Sequence, residues 1–309
     1  MVEKAKTIAI TISLPLMLLI SVSGATAQPQ TPIAGHYPPG QSGIRGAVTP
    51  SAGVGYTNFS RFFSNLKVED KNSNTVQDLN DLHYGNVSMI TWTTEYKILG
   101  MSYGALGGVP FNTSFNRPSG GTVEGAGFGL GDILITPLSL YGKSTYFDYQ
   151  VQFTIWTASG KFTPGASDNH GSGYWALVYS LGGVYYPNGE RDAWSLSAVA
   201  RIEQNFEQKD SGITPGDDIV IDWGIGKIIH AGKYPIDMGV SGFAVWQITS
   251  QTGGSSNADT SHYRFFGIGP EANLSATENL AFRVRAQWEF ATSNAVQGNN
   301  LWLIVNYRF

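Results

Sequence analysis

LWLIVNYRF, Leu301 to Phe309, closes the chain in strict alternation. Leu301, Leu303, Val305, Tyr307 and Phe309 share one face and Trp302, Ile304, Asn306 and Arg308 the other, the period of a β-strand with one apolar and one mixed surface. A final Phe beside a free carboxylate suits a membrane β-barrel, in which the last strand closes against the first and turns one face to lipid.

The opposite end carries the pattern of an export signal. Lys4 and Lys6 precede an apolar run from Ile8 to Ile20, and Ala25, Thr26 and Ala27 form a small-residue cleavage site, so residues 1–27 read as a signal peptide. The run contains Pro15 and, at about 13 residues, falls short of the roughly 20 that a spanning helix needs. The 309-residue chain has a net charge of −4, and removing Glu3, Lys4 and Lys6 with the signal makes it about −5. No basic stripe supports nucleic-acid binding. With no cysteine, disulfides, a thiol nucleophile and a thiolate metal site are excluded. Charged residues make up only 14% of the chain, few for a soluble surface, yet no later segment approaches 18 continuous apolar residues. An all-β chain with an apolar outer face is what remains.

Residues 28–50 are rich in Pro and Gly without periodicity and read as an irregular arm, tucked into or under a barrel spanning 51–309. Strand patterns fall at 53–63, 86–96, 98–108, 127–139, 146–158, 173–185, 193–205, 217–228, 235–249, 261–273, 280–291 and 301–309. These predict a transmembrane antiparallel barrel of twelve strands, outer-membrane type, with an even strand number as single-chain barrels require. The odd connections are the long ones, 64–85, 109–126, 159–172, 206–216, 250–260 and 292–300. The even ones are short, including a turn around Lys97. Both termini then face the periplasm.

Alternation also assigns faces. Leu280, Phe282, Val284, Ala286, Trp288 and Phe290 form one row, and Arg283, Arg285, Gln287 and Glu289 the other. An Arg facing lipid at mid-depth costs about 2 to 4 kcal/mol, so the polar row faces inward. The same rule makes Arg201 and Glu203, Asp222, Asp237, Asp148 and Gln150, and Arg264 lumen-lining, together with inward Leu134 and Trp156. By parity Trp302, Trp156 and Trp92 also point inward, unless bulges turn them to the interfacial girdles. Twelve strands at about 4.7 Å spacing and roughly 40° tilt enclose a cylinder about 24 Å across, leaving about 10 Å or less between side chains. Such a lumen suits small solutes. Its mixed charges favour neither ion sign, and its apolar members suit aromatic or sparingly soluble molecules.

GHYPPGQSGIRGAVTPSAGVGYTNFSRFF, Gly35 to Phe63, resembles the start of bacterial outer-membrane proteins of the meta-pathway of phenol degradation family. GFGLGDILITPL at 127–138, SGKFTPG at 159–165 with Gly173, Tyr174 and Trp175, and PGDDIVIDWGIGK at 215–227 extend the resemblance. The family implies handling of aromatic compounds such as phenols at the cell outer membrane of a Gram-negative bacterium. It also implies recognition of the final Phe by the outer-membrane assembly machinery. It defines no catalytic or binding residues to carry over, and this chain departs from it in its Asn- and Asp-rich first loop.

Other motifs carry little chemistry. Gly127, Gly129 and Gly131 before Asp132 have the wrong spacing for a nucleotide fingerprint and precede no amphipathic helix, so they read as structural glycines in a curved strand. Asp217 and Asp218 beside Gly216 fit a solvated turn, with calcium as the alternative. His36, His83, His170, His230 and His262 lack metal-ligand spacing, and Ser261 and His262 lie on opposite strand faces. The function expected is therefore a porin-like channel or transporter for small hydrophobic or aromatic solutes, with no enzyme activity, cofactor or metal. A barrel-embedded lipid hydrolase and a structural or adhesive surface protein are the alternatives. Its partners would be the solute, membrane lipid and lipopolysaccharide, as monomer or homo-oligomer.

Overall fold

The computed structural model describes residues 33–116, 124–166, 168–254 and 261–309. The signal segment and the first five residues of the arm lie outside the described residues. Twelve strands form the barrel: β1 (Gly53–Glu69), β2 (Thr75–Ile98), β3 (Met101–Asn116), β4 (Glu124–Leu130, resuming as Leu134–Lys143), β5 (Phe147–Trp156), β6 (Ala176–Tyr185), β7 (Trp194–Asn205), β8 (Asp218–Ala231), β9 (Tyr234–Gln247), β10 (Arg264–Ser275), β11 (Leu280–Ser293) and β12 (Ala295–Arg308). Each pairs antiparallel with its neighbours in sequence, and β12 pairs with β1 from Arg308 opposite Gly55 to Ala295 opposite Glu69. The sheet is closed and leaves no edge, so every ladder can be satisfied in lipid.

Two of the expected outer loops are strand instead. Residues 64–85 continue β1 and β2 and leave only Asp70–Asn74 as a turn, in which Asp70 Oδ1 accepts from the amides of Asn72 and Asn74. Residues 292–300 likewise continue β11 and β12, which meet at Asn294 with φ of 53°. Polar composition suggested loops there, but strands that rise beyond the bilayer face water and need no apolar row. β2 has 24 residues, far beyond the roughly 10 that a tilted strand needs to cross. The β2–β3 turn falls at Leu99 and Gly100, both at positive φ, not at Lys97.

The outer surface has the row predicted from the last nine residues. Leu301, Leu303 and Tyr307 are exposed, and Trp302 and Ile304 are buried. Phe309 adds one further bond, its amide donating to the Val54 carbonyl. Trp92 points outward, 52% exposed, while Trp156 and Trp302 point inward.

Candidate functional site

Arm residues 33–50 run inside the barrel, held by Arg201, Glu203, Asp222, Asp237, Arg283 and Arg285, which alternation had singled out, and by Glu271, which it had not. Glu203 accepts from the backbone amides of His36 at 2.6 Å and Tyr37 at 3.1 Å, and its Oε1 lies 3.0 Å from His36 Nδ1. Asp222 accepts from the Tyr37 hydroxyl at 2.5 Å and from the amides of Gly40 at 2.8 Å and Ser42 at 2.9 Å. Glu271 accepts from the Ile44 amide at 3.1 Å, and Asp237 from Arg45 Nε at 2.6 Å. The opposite charges complete the set. Arg201 donates to Asp222 and to Ser42 Oγ, with its guanidinium 4.0 Å from the centre of the Tyr37 ring. Arg285 donates to both oxygens of Glu271 and to the carbonyls of Gly40 and Ser42. Arg283 lies 3.4 Å from Glu271 and donates to the Ser42 carbonyl. Arm amides that helix or sheet would otherwise satisfy are thus met by barrel carboxylates, as buried backbone donors require.

Glycine makes the close approach possible. Gly43 has φ of 59°, and a Cβ there would run into Arg285 and Glu271; on the wall, a Cβ on Gly224 would meet the Ile44 backbone at 2.6 Å. His36 is clamped between Glu203 and Asp132, whose Oδ2 is 3.4 Å from Nε2, and stacks on Trp156. Burial pulls its pKa down, but the hydrogen bonds and charges of Asp132 and Glu203 outweigh this and raise it from 6.5 to about 9.

The remaining expected residues fall into three groups. Asp148 is buried on Arg191 and Tyr186, and Glu289 accepts from the Gly298 amide and Asn300. Gln150 is buried and borders a cavity in the lumen, and Gln287 packs against Gly40. Arg264 corrects the expectation. Tyr263 reaches inward to Asp218 and Phe265 packs against buried Val245 and Phe243, so alternation turns Arg264 outward opposite Trp246, where it is exposed at the outer end of β10. Asp217 and Asp218 take protein donors, from the Asn205 amide and the Tyr263 hydroxyl. His170 folds inward, its Nδ1 2.7 Å from Asn112 Oδ1, and Gly129 makes room for its ring.

The arm leaves two cavities of about 270 Å³ each, an outer one on the β12–β1–β2–β3 wall and an inner one that extends from this wall across to β4 and β5. The outer one is lined by Phe59, Phe63, Trp302, His83, Pro38 and Pro110 around Arg61. The Arg61 guanidinium lies 4.5 Å from the ring centre of Phe63 and 5.1 Å from that of Trp302, and Nε donates to Asn300 Oδ1 at 2.7 Å. The inner cavity is more polar and includes Thr136, Gln150, Gln152 and Thr154. Gln41 and Phe59 border both, and Gln41 Nε2 reaches Met89 Sδ at 3.9 Å. Sequence reading missed this constriction, because the apolar residues of β1 point inward.

A family model described as "Putative MetA-pathway of phenol degradation" matches residues 67–304. The chain belongs to this family. Among solved structures, an outer-membrane channel from Pseudomonas putida F1 superposes with a TM-score of 0.70 at 13% identity, covering 88% of this chain and 100% of that one. The β domain of the Bordetella autotransporter BrkA matches with a TM-score of 0.47 at 11% identity, covering 82% and 99%. The translocator domain of the autotransporter NalP from Neisseria meningitidis matches with a TM-score of 0.46 at 11% identity, covering 85% and 91%. No curated protein matches the sequence. Fold and family make this phenol-degradation family member an outer-membrane-type β-barrel.

Proposed function

We propose that the protein carries small aromatic solutes of the phenol type across the outer membrane. The path runs down the β12–β1–β2–β3 side of the lumen and past Gln41 while the arm stays docked. The observation that carries this reading is the outer cavity, where three aromatic rings and two prolines surround one guanidinium. Ring faces and edges accept an aromatic solute, and Arg61 can orient a hydroxyl or phenolate oxygen. The wide Arg, Asp and Glu belt on the opposite side serves the arm, which makes Gln150 and the cavity walls the solute-lining part of the expected set. Membrane lipid and lipopolysaccharide surround the barrel, and the exposed Phe309 is available to the assembly machinery.

The test is uptake of labelled phenol and toluene at limiting concentration by cells carrying wild type, Phe59→Ala, Gln41→Ala or no gene. Wild type should exceed the null strain, Gln41→Ala should raise uptake by widening the constriction, and Phe59→Ala should lower the preference for aromatic over aliphatic solutes. Equal aromatic uptake with and without the gene would overturn the proposal.

A further inference from the structure

Five arginine side chains that reach the lumen end on carboxylates. Arg45, Arg191, Arg201, Arg283 and Arg285 lie 2.6 to 3.4 Å from oxygens of Asp237, Asp148, Asp222 and Glu271. Arg61 has no carboxylate within ion-pair distance among the described residues, and its hydrogen bond runs from Nε to the neutral Asn300. The acid on this wall, Glu289, is engaged by other donors: Oε1 accepts from Asn300 Nδ2 at 3.0 Å and Oε2 from the Gly298 amide at 2.7 Å. Both Nη groups of Arg61 are left without a protein acceptor at the lining of the outer cavity. A guanidinium keeps its charge at any physiological pH, so this cation calls for an anion from outside the chain.

The surroundings fix how the guanidinium is presented. Asn300 holds Nε, and the rings of Phe63 and Trp302 flank the group at 4.5 and 5.1 Å. Phe63 is itself stacked on His83, with centroids 4.6 Å apart and planes 12° from parallel. The Nη edge is what remains. Two N–H groups in one plane match the two oxygens of a carboxylate, whereas a phenol offers one oxygen and no charge at neutral pH. Beyond the guanidinium the lining is apolar: Phe59 stands edge to face with Trp302 at 6.5 Å, and Pro38, Val87 and Pro110 close the space. That part accepts a ring.

We propose that the outer cavity is a subsite for aryl carboxylates, small aromatic acids of the benzoate type. The carboxylate sits on Nη1 and Nη2 of Arg61, and the ring lies against Phe59, Trp302 and the prolines. The assignment rests on the aromatic-solute reading above and narrows it, because the solute itself brings the counter-charge that this wall lacks. A chain of net charge −4 exerts no general pull on anions, so selection falls to this one guanidinium.

Equilibrium dialysis of the purified full chain in detergent against labelled benzoate, benzyl alcohol and hexanoate tests the subsite. At neutral pH wild type should bind benzoate about tenfold more tightly than either of the others, the order for one charge-assisted pair. Arg61→Gln should lose about tenfold for benzoate while benzyl alcohol changes by less than about twofold. Arg61→Lys keeps the charge without the planar fork and should retain only part of the affinity. Heat-modifiable migration checks that the variants fold, and the wild-type ligand series decides the question without them. Benzoate bound no more tightly than benzyl alcohol, or equally well by Arg61→Gln, would overturn the carboxylate subsite and leave the aromatic reading standing. Benzoate bound no more tightly than hexanoate would overturn both.

Discussion

Replacing Asp222 with Asn should release the arm while leaving the barrel intact. The carboxylate accepts from the Tyr37 hydroxyl and from the amides of Gly40 and Ser42, and it pairs with Arg201. An Asn of the same shape keeps one carbonyl acceptor but turns an NH₂ towards groups that themselves donate. Losing two charge-assisted hydrogen bonds at about 1.5 to 3 kcal/mol each weakens docking by about 3 to 6 kcal/mol. Even the lower figure raises the undocked population more than about a hundredfold. Trypsin provides the assay, because Arg45 precedes Gly46 in the arm and its side chain is only 11% exposed while paired with Asp237. Asp222→Asn barrels should be cut there and should show larger conductance steps in planar bilayers than wild type, which should resist cleavage. Heat-modifiable migration should be the same for both. A variant that folds, resists trypsin and keeps the wild-type conductance would refute the assignment of Asp222 as an arm anchor.

Four further outcomes follow from the same geometry. The pKa of His36 in the docked arm, about 9, lies above the ordinary 6.5, so its charge supports docking fully below pH 6.5. That support is lost progressively as pH rises from about 6.5 through 9; cleavage at Arg45 should therefore increase between about pH 6.5 and 9 in wild type and show no such step in His36→Gln. Val284 is 45% exposed at mid-wall, and Val284→Arg should lower barrel stability by about 2 to 4 kcal/mol in urea unfolding from lipid vesicles. Arg283→Gln, on the inner face, should leave that unfolding curve in place but raise arm cleavage, since Arg283 donates to the Ser42 carbonyl. Gly43→Ala, with φ of 59° and Arg285 and Glu271 in the way, should undock the arm as Asp222→Asn does, read by the same trypsin cut.

Much of the barrel was legible because lipid imposes a simple rule. Where one face must be apolar, as on β11 and β12, alternation alone assigns each residue, and Leu303 or Val284 could be placed without coordinates. The rule fails where its cause is missing. Residues 64–85 and 292–300 are strands above the bilayer, so they show no apolar row and read as loops. Arg264 sits at the outer end of β10, where an outward charge meets headgroups at little cost. Trp92 faces out, although its parity suggested the lumen.

Composition and periodicity by themselves determined an exported, closed, even-stranded barrel with charges inside, because a hydrocarbon solvent permits little else for such a chain. What those charges do was a tertiary matter. Glu203, Asp222, Glu271 and Arg285 could have lined open water, and only the position of residues 33–50 shows that they bind an arm. The direction of β1 was also undecided until its register with β12 set Arg61 against Trp302. Phe59 and Phe63 then turn inward to form the aromatic cavity, and Asn58 and Ser60 turn outward. A one-residue shift would exchange the two faces, and nothing in that stretch alone specifies which register the closing strand selects.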